Sequence, residues 1–186
     1  MPSLRLALFC LLVPATLLSA AAPSQAETRL GRWELGVAPN YGWIVLTKDD
    51  EPSGFGASTY LRCGLTESFA VKLGGLWTRH TVSAQGERPG GTLDVFSVDL
   101  GLTYVVDFVS FQPKIEAGLG LLQRRLGGVT ATDLGVTVGL AADYQISPRW
   151  SVGFAVNYRG FLTDLGNVPV YVEMGPRVAF QWGAGF

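Results

Sequence analysis

The sequence predicts an all-β fold, an eight-stranded antiparallel transmembrane β-barrel with short periplasmic turns and longer extracellular loops. Three observations predict it. Apolar and polar residues alternate with period two along segments of about ten residues. The chain is 48% hydrophobic with a mean hydropathy of +0.28, yet no apolar run beyond its first residues is long enough for a membrane helix. Aromatic residues gather toward the ends of the alternating segments, where two lipid–water interfaces would lie.

The segments follow in order. The first sets Trp33, Leu35, Val37, Tyr41 and Trp43 against Arg32, Glu34, Gly36, Ala38, Asn40 and Gly42. The second sets Phe55, Ala57, Thr59, Leu61, Cys63 and Leu65 against Gly54, Gly56, Ser58, Tyr60, Arg62 and Gly64. The third sets Phe69, Val71, Leu73 and Trp77 against Ala70, Lys72, Gly74 and Thr78. The fourth sets Phe96, Val98, Leu100, Leu102 and Tyr104 against Ser97, Asp99, Gly101 and Thr103. In the fifth, Phe111, Ile115, Ala117, Leu119 and Leu121 oppose Gln112, Lys114, Glu116, Gly118 and Gly120. In the sixth, Leu134, Val136, Val138, Leu140 and Tyr144 oppose Asp133, Gly135, Thr137, Gly139 and Asp143. The seventh sets Trp150, Val152, Phe154, Val156 and Tyr158 against Ser151, Gly153, Ala155, Asn157 and Arg159. The eighth sets Val170, Val172, Met174, Val178, Phe180 and Trp182 against Tyr171, Glu173, Gly175, Arg177, Ala179 and Gln181.

Alternation alone does not say which face is inside. A soluble sandwich buries its apolar face, and a membrane barrel turns that face to lipid. Strand length favours the barrel, because soluble strands run to about five or six residues. So does glycine, which collects on the polar faces, where it would weaken a soluble strand for no gain. In a narrow barrel it leaves room for neighbouring charged side chains. The connections point the same way. Those at 65–68, 107–110 and 145–149 are short, and those at 44–53, 79–92, 123–132 and 161–168 are longer.

The chain begins with an export signal. Arg5 is followed by an apolar stretch from Leu6 to Leu18, and Ser24-Gln25-Ala26 fits a signal-peptidase site. Pro14 interrupts the stretch, which falls short of the roughly 18 residues of a membrane span. Cys10 follows the bulky Phe9, unlike a lipobox. Residues 1–26 are therefore expected to be a cleaved signal peptide, and 27–186 one barrel domain. The net charge of −1 gives no basic footprint for nucleic acid. Cys63 alone remains after cleavage and is expected to act as a small apolar wall residue without a disulfide. One His and one mature Cys do not make a typical zinc site, and no Gly-rich segment leads into a helix as a phosphate loop would. No metal and no cofactor are expected.

The end of the chain carries a resemblance. Phe186 is preceded at steps of two by Ala184, Trp182, Phe180 and Val178. This resembles the C-terminal strand signal read by the barrel-assembly machinery of outer membranes. The chain as a whole resembles the small eight-stranded barrels of the OmpA transmembrane-domain, OmpX and OmpW type. The resemblance implies integral residence in the bacterial outer membrane. The implied partners are outer-membrane lipid and lipopolysaccharide, with the assembly machinery and periplasmic chaperones during biogenesis. It names no activity and no oligomeric state.

With the polar faces inward, the lumen is expected to hold Arg32, Glu34, Arg62, Lys72, Asp99, Lys114, Glu116, Asp133, Asp143, Arg159, Glu173 and Arg177. The signs balance, and a barrel of this size is just wide enough for its side chains to fill it. The expected function is therefore a non-enzymatic barrel with an envelope-structural or surface-interaction role, its lumen plugged by paired charge. A narrow channel for ions or small solutes is the alternative, although a pore would favour one sign of charge. A conduit for apolar solutes would need an apolar lumen, which these residues do not provide. A lipid A-modifying enzyme is the third reading, through His80 and Ser83 near the outer end of the third strand. Their spacing puts them on opposite faces of a continuous strand, so no catalytic residues are expected. In the outer loops, Lys48-Asp49-Asp50-Glu51 is an acidic tip, and Arg124 and Arg125 are expected in an ordinary solvated loop, with contact to lipopolysaccharide phosphates as the alternative.

Overall fold

A computed structural model describes residues 30–45, 52–83, 90–106, 108, 110–163 and 170–183. The expected signal peptide, the acidic tip at 48–51 and the terminal Phe186 lie outside these residues. The described chain is eight strands and their turns, without a helix. The strands are β1 (Arg32–Val45), β2 (Ser53–Gly64), β3 (Phe69–Val82), β4 (Gly91–Val105), β5 (Phe111–Leu126), β6 (Val129–Ser147), β7 (Trp150–Phe161) and β8 (Val170–Gly183).

They form one closed antiparallel barrel in sequence order. The seam joins β1 to β8, with Trp33 opposite Trp182 and Leu35 opposite Phe180. Closure leaves no strand edge unpaired, as a lipid environment requires. Burial follows the pleat. Leu73, Val98, Leu100, Leu119 and Leu140 are exposed on the outer wall, and the charged residues of the alternate positions are buried inside.

One end, the base, holds the start of β1, the end of β8 and the short turns. In the turn after β2, the Thr66 hydroxyl accepts from the amides of Ser68 and Phe69. A register shift between Gln145 and Ser147 precedes the turn at Pro148-Arg149, where the Ser147 hydroxyl accepts from the Trp150 amide. Rings line the wall at this end. Trp33 stacks on Trp182 with centroids 6.5 Å apart, and Phe69 lies 5.1 Å from Tyr104. At the opposite end, the mouth, Tyr41 meets Phe55 edge-on at 5.2 Å and Trp77 pairs with Phe96.

The connection expected at 123–132 is not a long loop. Strands β5 and β6 pair through to Leu126 opposite Val129, and only Gly127 and Gly128 turn the chain. Their φ values of 57° and 87° are the left-handed pair that a two-residue hairpin needs. Arg124 and Arg125 are thus strand residues on opposite faces of the wall.

Glycines on the inner face admit the lumen side chains. A Cβ at Gly36 would lie 2.2 Å from the Tyr60 ring, and one at Gly74 would lie 2.7 Å from the Asp99 carboxylate. Larger residues at these positions would displace the groups that fill the lumen.

Candidate functional site

The lumen is built in layers. All of Arg32, Glu34, Arg62, Lys72, Asp99, Lys114, Glu116, Asp133, Asp143, Arg159, Glu173 and Arg177 are buried. They come from every strand, so the contacts among them cross the barrel.

Three carboxylates organise the base layer. Glu34 on β1 accepts from Arg62 at 2.5 Å, from the Tyr60 hydroxyl at 2.8 Å, from Lys114 at 3.2 Å and from Gln181 at 3.1 Å. Glu116 on β5 accepts from Arg62 at 2.7 Å, from Arg177 at 3.2 Å and from Lys72. Asp143 on β6 accepts from Lys114 at 2.6 Å and from the Arg177 Nε and Nη2 at 2.6 and 2.7 Å. Arg32 donates to Gln181 and to the Pro148 carbonyl. The Tyr60 ring lies beneath three cations, with Arg62 at 4.8 Å, Arg177 at 5.3 Å and Lys72 at 5.7 Å. Ring faces attract cations, so Tyr60 offsets part of the charge that the carboxylates leave over.

The middle layer centres on Arg159 of β7. Its Nη1 donates to Asp99 at 2.7 Å and to the Ser97 and Thr137 hydroxyls at 3.0 Å, and its Nη2 donates to Glu173 at 3.1 Å. Asn157 donates to the same Glu173 oxygen at 2.9 Å. The charges are therefore segregated along the axis. Among the described residues of the base layer, Arg62, Lys72, Lys114 and Arg177 outnumber Glu34, Glu116 and Asp143. In the middle layer Asp99 and Glu173 outnumber Arg159.

The mouth corrects the expectation of a wholly polar lumen. Ile44, Leu76, Val82, Leu93, Val95, Leu122, Phe161 and Tyr171 form a buried apolar cluster inside the barrel, with Leu126 against it. These residues stand at inward positions that polar groups occupy nearer the base. Asp133 lies here, apart from the other charges, and pairs with Arg124 at 2.7 Å. The Arg124 guanidinium also covers the Phe161 ring at 4.9 Å. The pairing of β5 with β6 sets Arg124 at an inward position, not in the solvated loop expected of it.

His80 is fully buried in β3, within this apolar end. Its Nδ1 lies 3.2 Å from the Pro52 carbonyl, which can only accept, so in the neutral ring Nδ1 carries the hydrogen. Nε2 then accepts from the Thr78 hydroxyl at 3.1 Å, and the Tyr171 hydroxyl donates to Thr78 at 2.8 Å. Both ring nitrogens are used within the wall. Ser83 is exposed beyond the end of β3 at a position of opposite parity, and the two are not brought together. Among the described residues no group of three or more His, Cys, Asp or Glu could hold a metal. Cys63 is a free thiol in the wall. Val178, Phe180 and Trp182 lie on the outer face of β8, with Phe180 and Trp182 stacked at 5.9 Å.

A closed barrel with an apolar exterior and an interior filled by ion-paired and apolar side chains belongs to the class of small outer-membrane barrels. The sequence matches the family model described as outer membrane protein beta-barrel domain over residues 10–175, and the chain belongs to that family. No curated protein matches the sequence. Solved structures similar to it include Neisserial surface protein A, NspA, at 19% identity and a TM-score of 0.58, covering 81% of this chain and 96% of that one. Ail, the attachment invasion locus protein of Yersinia pestis, is similar at 14% identity and a TM-score of 0.55, covering 82% and 99%. The outer membrane protein OprG from Pseudomonas aeruginosa is similar at 14% identity and a TM-score of 0.59, covering 84% and 98%. At these identities the likeness is one of fold. Family membership makes the outer wall the lipid face, the base the periplasmic end and the mouth the extracellular one.

Proposed function

We propose that the chain is a non-enzymatic outer-membrane barrel with an envelope-structural or surface-interaction role, its lumen closed to solutes. The observation that carries this reading is the succession of two unlike barriers along one axis. The ion-paired layers fill the periplasmic half and the apolar cluster fills the extracellular end. An anion that tolerates the base layer meets excess carboxylate above it, and a cation meets the reverse. Either ion would then have to shed water to pass the apolar cluster. The surface-interaction part draws on the name of one neighbour in fold, the attachment invasion locus protein Ail.

The alternative, a narrow channel, has two cavities of about 20 Å³ in its favour. Arg32, Glu34 and Arg62 line one, and Asp99, Arg159 and Glu173 line the other. Each holds about one water, and neither is lined by the apolar cluster. Planar-bilayer recording of refolded protein decides between the two readings. The expected record has no stable unitary conductance, and a stable step would overturn the closed lumen. The enzymatic reading has only His80 and Ser83, which the wall keeps apart. Lipid A mass spectra from cells expressing wild type and His80→Ala are expected to be the same as those of cells lacking the protein. A His80-dependent change would overturn the non-enzymatic reading.

Biogenesis completes the proposal. Residues 1–26 direct export, periplasmic chaperones hold the barrel segment 27–186, and the assembly machinery reads Val178, Phe180, Trp182 and Phe186.

A further inference from the structure

Three charged strand residues have no place in the lumen. Every charged residue of β1–β8 faces inward except Arg79, Asp94 and Arg125. These three are register neighbours, with Arg79 opposite Asp94 and Asp94 opposite Arg125. They form one row across the outside of β3, β4 and β5. Arg79 donates to both Asp94 oxygens, at 2.8 and 3.2 Å, and its guanidinium carbon lies 5.6 Å from the Trp77 ring. Both arginines are exposed.

The height of the row matters. Trp77 and Phe96 form the exposed aromatic pair one pleat closer to the membrane centre, and such rings mark the lipid–water boundary. The row therefore stands among the headgroups of the outer leaflet. Thr81, Thr92, Gln123, Thr130 and Thr132 share its outward side, so this sector is polar where most of the outer wall is apolar. A surface ion pair needs one arginine and one carboxylate. Here a second arginine, Arg125, adds a positive charge beyond the one that Asp94 balances, and it stands exposed on the outer wall. Guanidinium groups recognise phosphate oxygens by paired hydrogen bonds.

We propose that Arg79 and Arg125 form a docking site for a phosphate group of outer-leaflet lipopolysaccharide, with Asp94 fixing Arg79 above Trp77. The proposal rests on the outer-membrane orientation of the barrel and not on whether its lumen conducts.

The test is native mass spectrometry of the refolded full chain, released from detergent with defined lipids. The lipids are bis-phosphorylated lipid A, the same lipid A with its phosphates removed, and phosphatidylglycerol. Wild type is expected to retain bis-phosphorylated lipid A about tenfold better than the dephosphorylated form, as two charge-assisted contacts would give. R79Q/R125Q is expected to lose most of that preference, and R79K/R125K to keep part of it because the charge remains. Heat-modifiable gel mobility shows that each variant is folded. A preference that survives in R79Q/R125Q would overturn the site. So would equal retention of both lipid A forms by wild type, and phosphatidylglycerol held as well as lipid A would overturn the glycolipid as its occupant. A conducting barrel with intact lipid A preference would remove the closed-lumen reading and leave this one standing.

Discussion

At the base of the lumen, Glu34, Glu116 and Asp143 are each held by two or more cations, whereas at the mouth the inward positions carry Ile44, Val95, Leu122 and Phe161. Both regions fill the same narrow space between the same eight strands. They do so with different energetics. The base exchanges water for ion pairs, and the desolvation of buried charge cancels most of what the pairing gains. The mouth exchanges water for apolar contact, which stabilises by about 1.5–3 kcal/mol for each large side chain fully buried. In the unfolded chain those side chains face water, so the gain is available even to a protein that lives in lipid. The base thus contributes geometry, because one misplaced strand would strand a charge. The mouth contributes stability and dryness.

The sharpest way to break this comparison is to remove a carboxylate from the base. Glu116 accepts from Arg62, Arg177 and Lys72, in a layer where cations already outnumber anions. Glu116→Gln leaves those cations short of a counter-charge. The expected cost is about 3–5 kcal/mol, the usual scale for an orphaned buried charge. Urea titration of the refolded barrel, followed by tryptophan fluorescence, measures it. A cost near zero would mean that the base layer is hydrated and not sealed by pairing.

The next effect belongs to the mouth. Leu122 is 2% exposed and packs in the apolar cluster. Leu122→Ala is expected to cost about 2–4 kcal/mol through lost burial and the void it leaves. Because the ion-paired layers below are untouched, the variant is also expected to stay silent in planar-bilayer recording. Conductance from this change alone would place the whole barrier at the mouth.

What could be read from the sequence divides along the same line. The base was legible because period two holds strictly there. Leucines and aromatics face lipid, charges and glycines face inward, and parity assigns every charge of the base layer. The mouth was not, for two physical reasons. Apolar residues occur back to back at Leu76-Trp77, Val95-Phe96 and Leu121-Leu122, so no polar partner marks which of the two turns inward. Beyond the lipid boundary the outer face also meets water, and the alternation fades. Gln123, Arg124, Arg125, Thr130 and Thr132 therefore looked like a loop, although β5 and β6 pair throughout. Gly127-Gly128 was the available signal for the tight hairpin, and carrying the period of β5 up to that turn sets Arg124 inward and Arg125 outward. Arg79 and Asp94 stayed hidden for the same reason, because only the register sets them side by side.

The smallest expected effect tests whether charge excess, rather than charge as such, distinguishes the base. Lys72 belongs to the same cluster as Glu116 and donates to it, and its ammonium lies 5.7 Å from the Tyr60 ring. Lys72→Met removes a cation from a layer that has more cations than carboxylates. Glu116 keeps Arg62 at 2.7 Å and Arg177 at 3.2 Å, so no carboxylate is orphaned. The methionine keeps most of the stem that packs along β3. The loss of one favourable pair is then offset by relief of repulsion from Arg62 and Arg177 and by the desolvation no longer required. Stability is expected to stay within about 1 kcal/mol of wild type in the same urea titration, against the several kcal/mol of Glu116→Gln. Equal costs for the two variants would show that each ion pair acts alone. Unequal costs, with the carboxylate dominant, would make Glu116 the member on which the cations of the base depend.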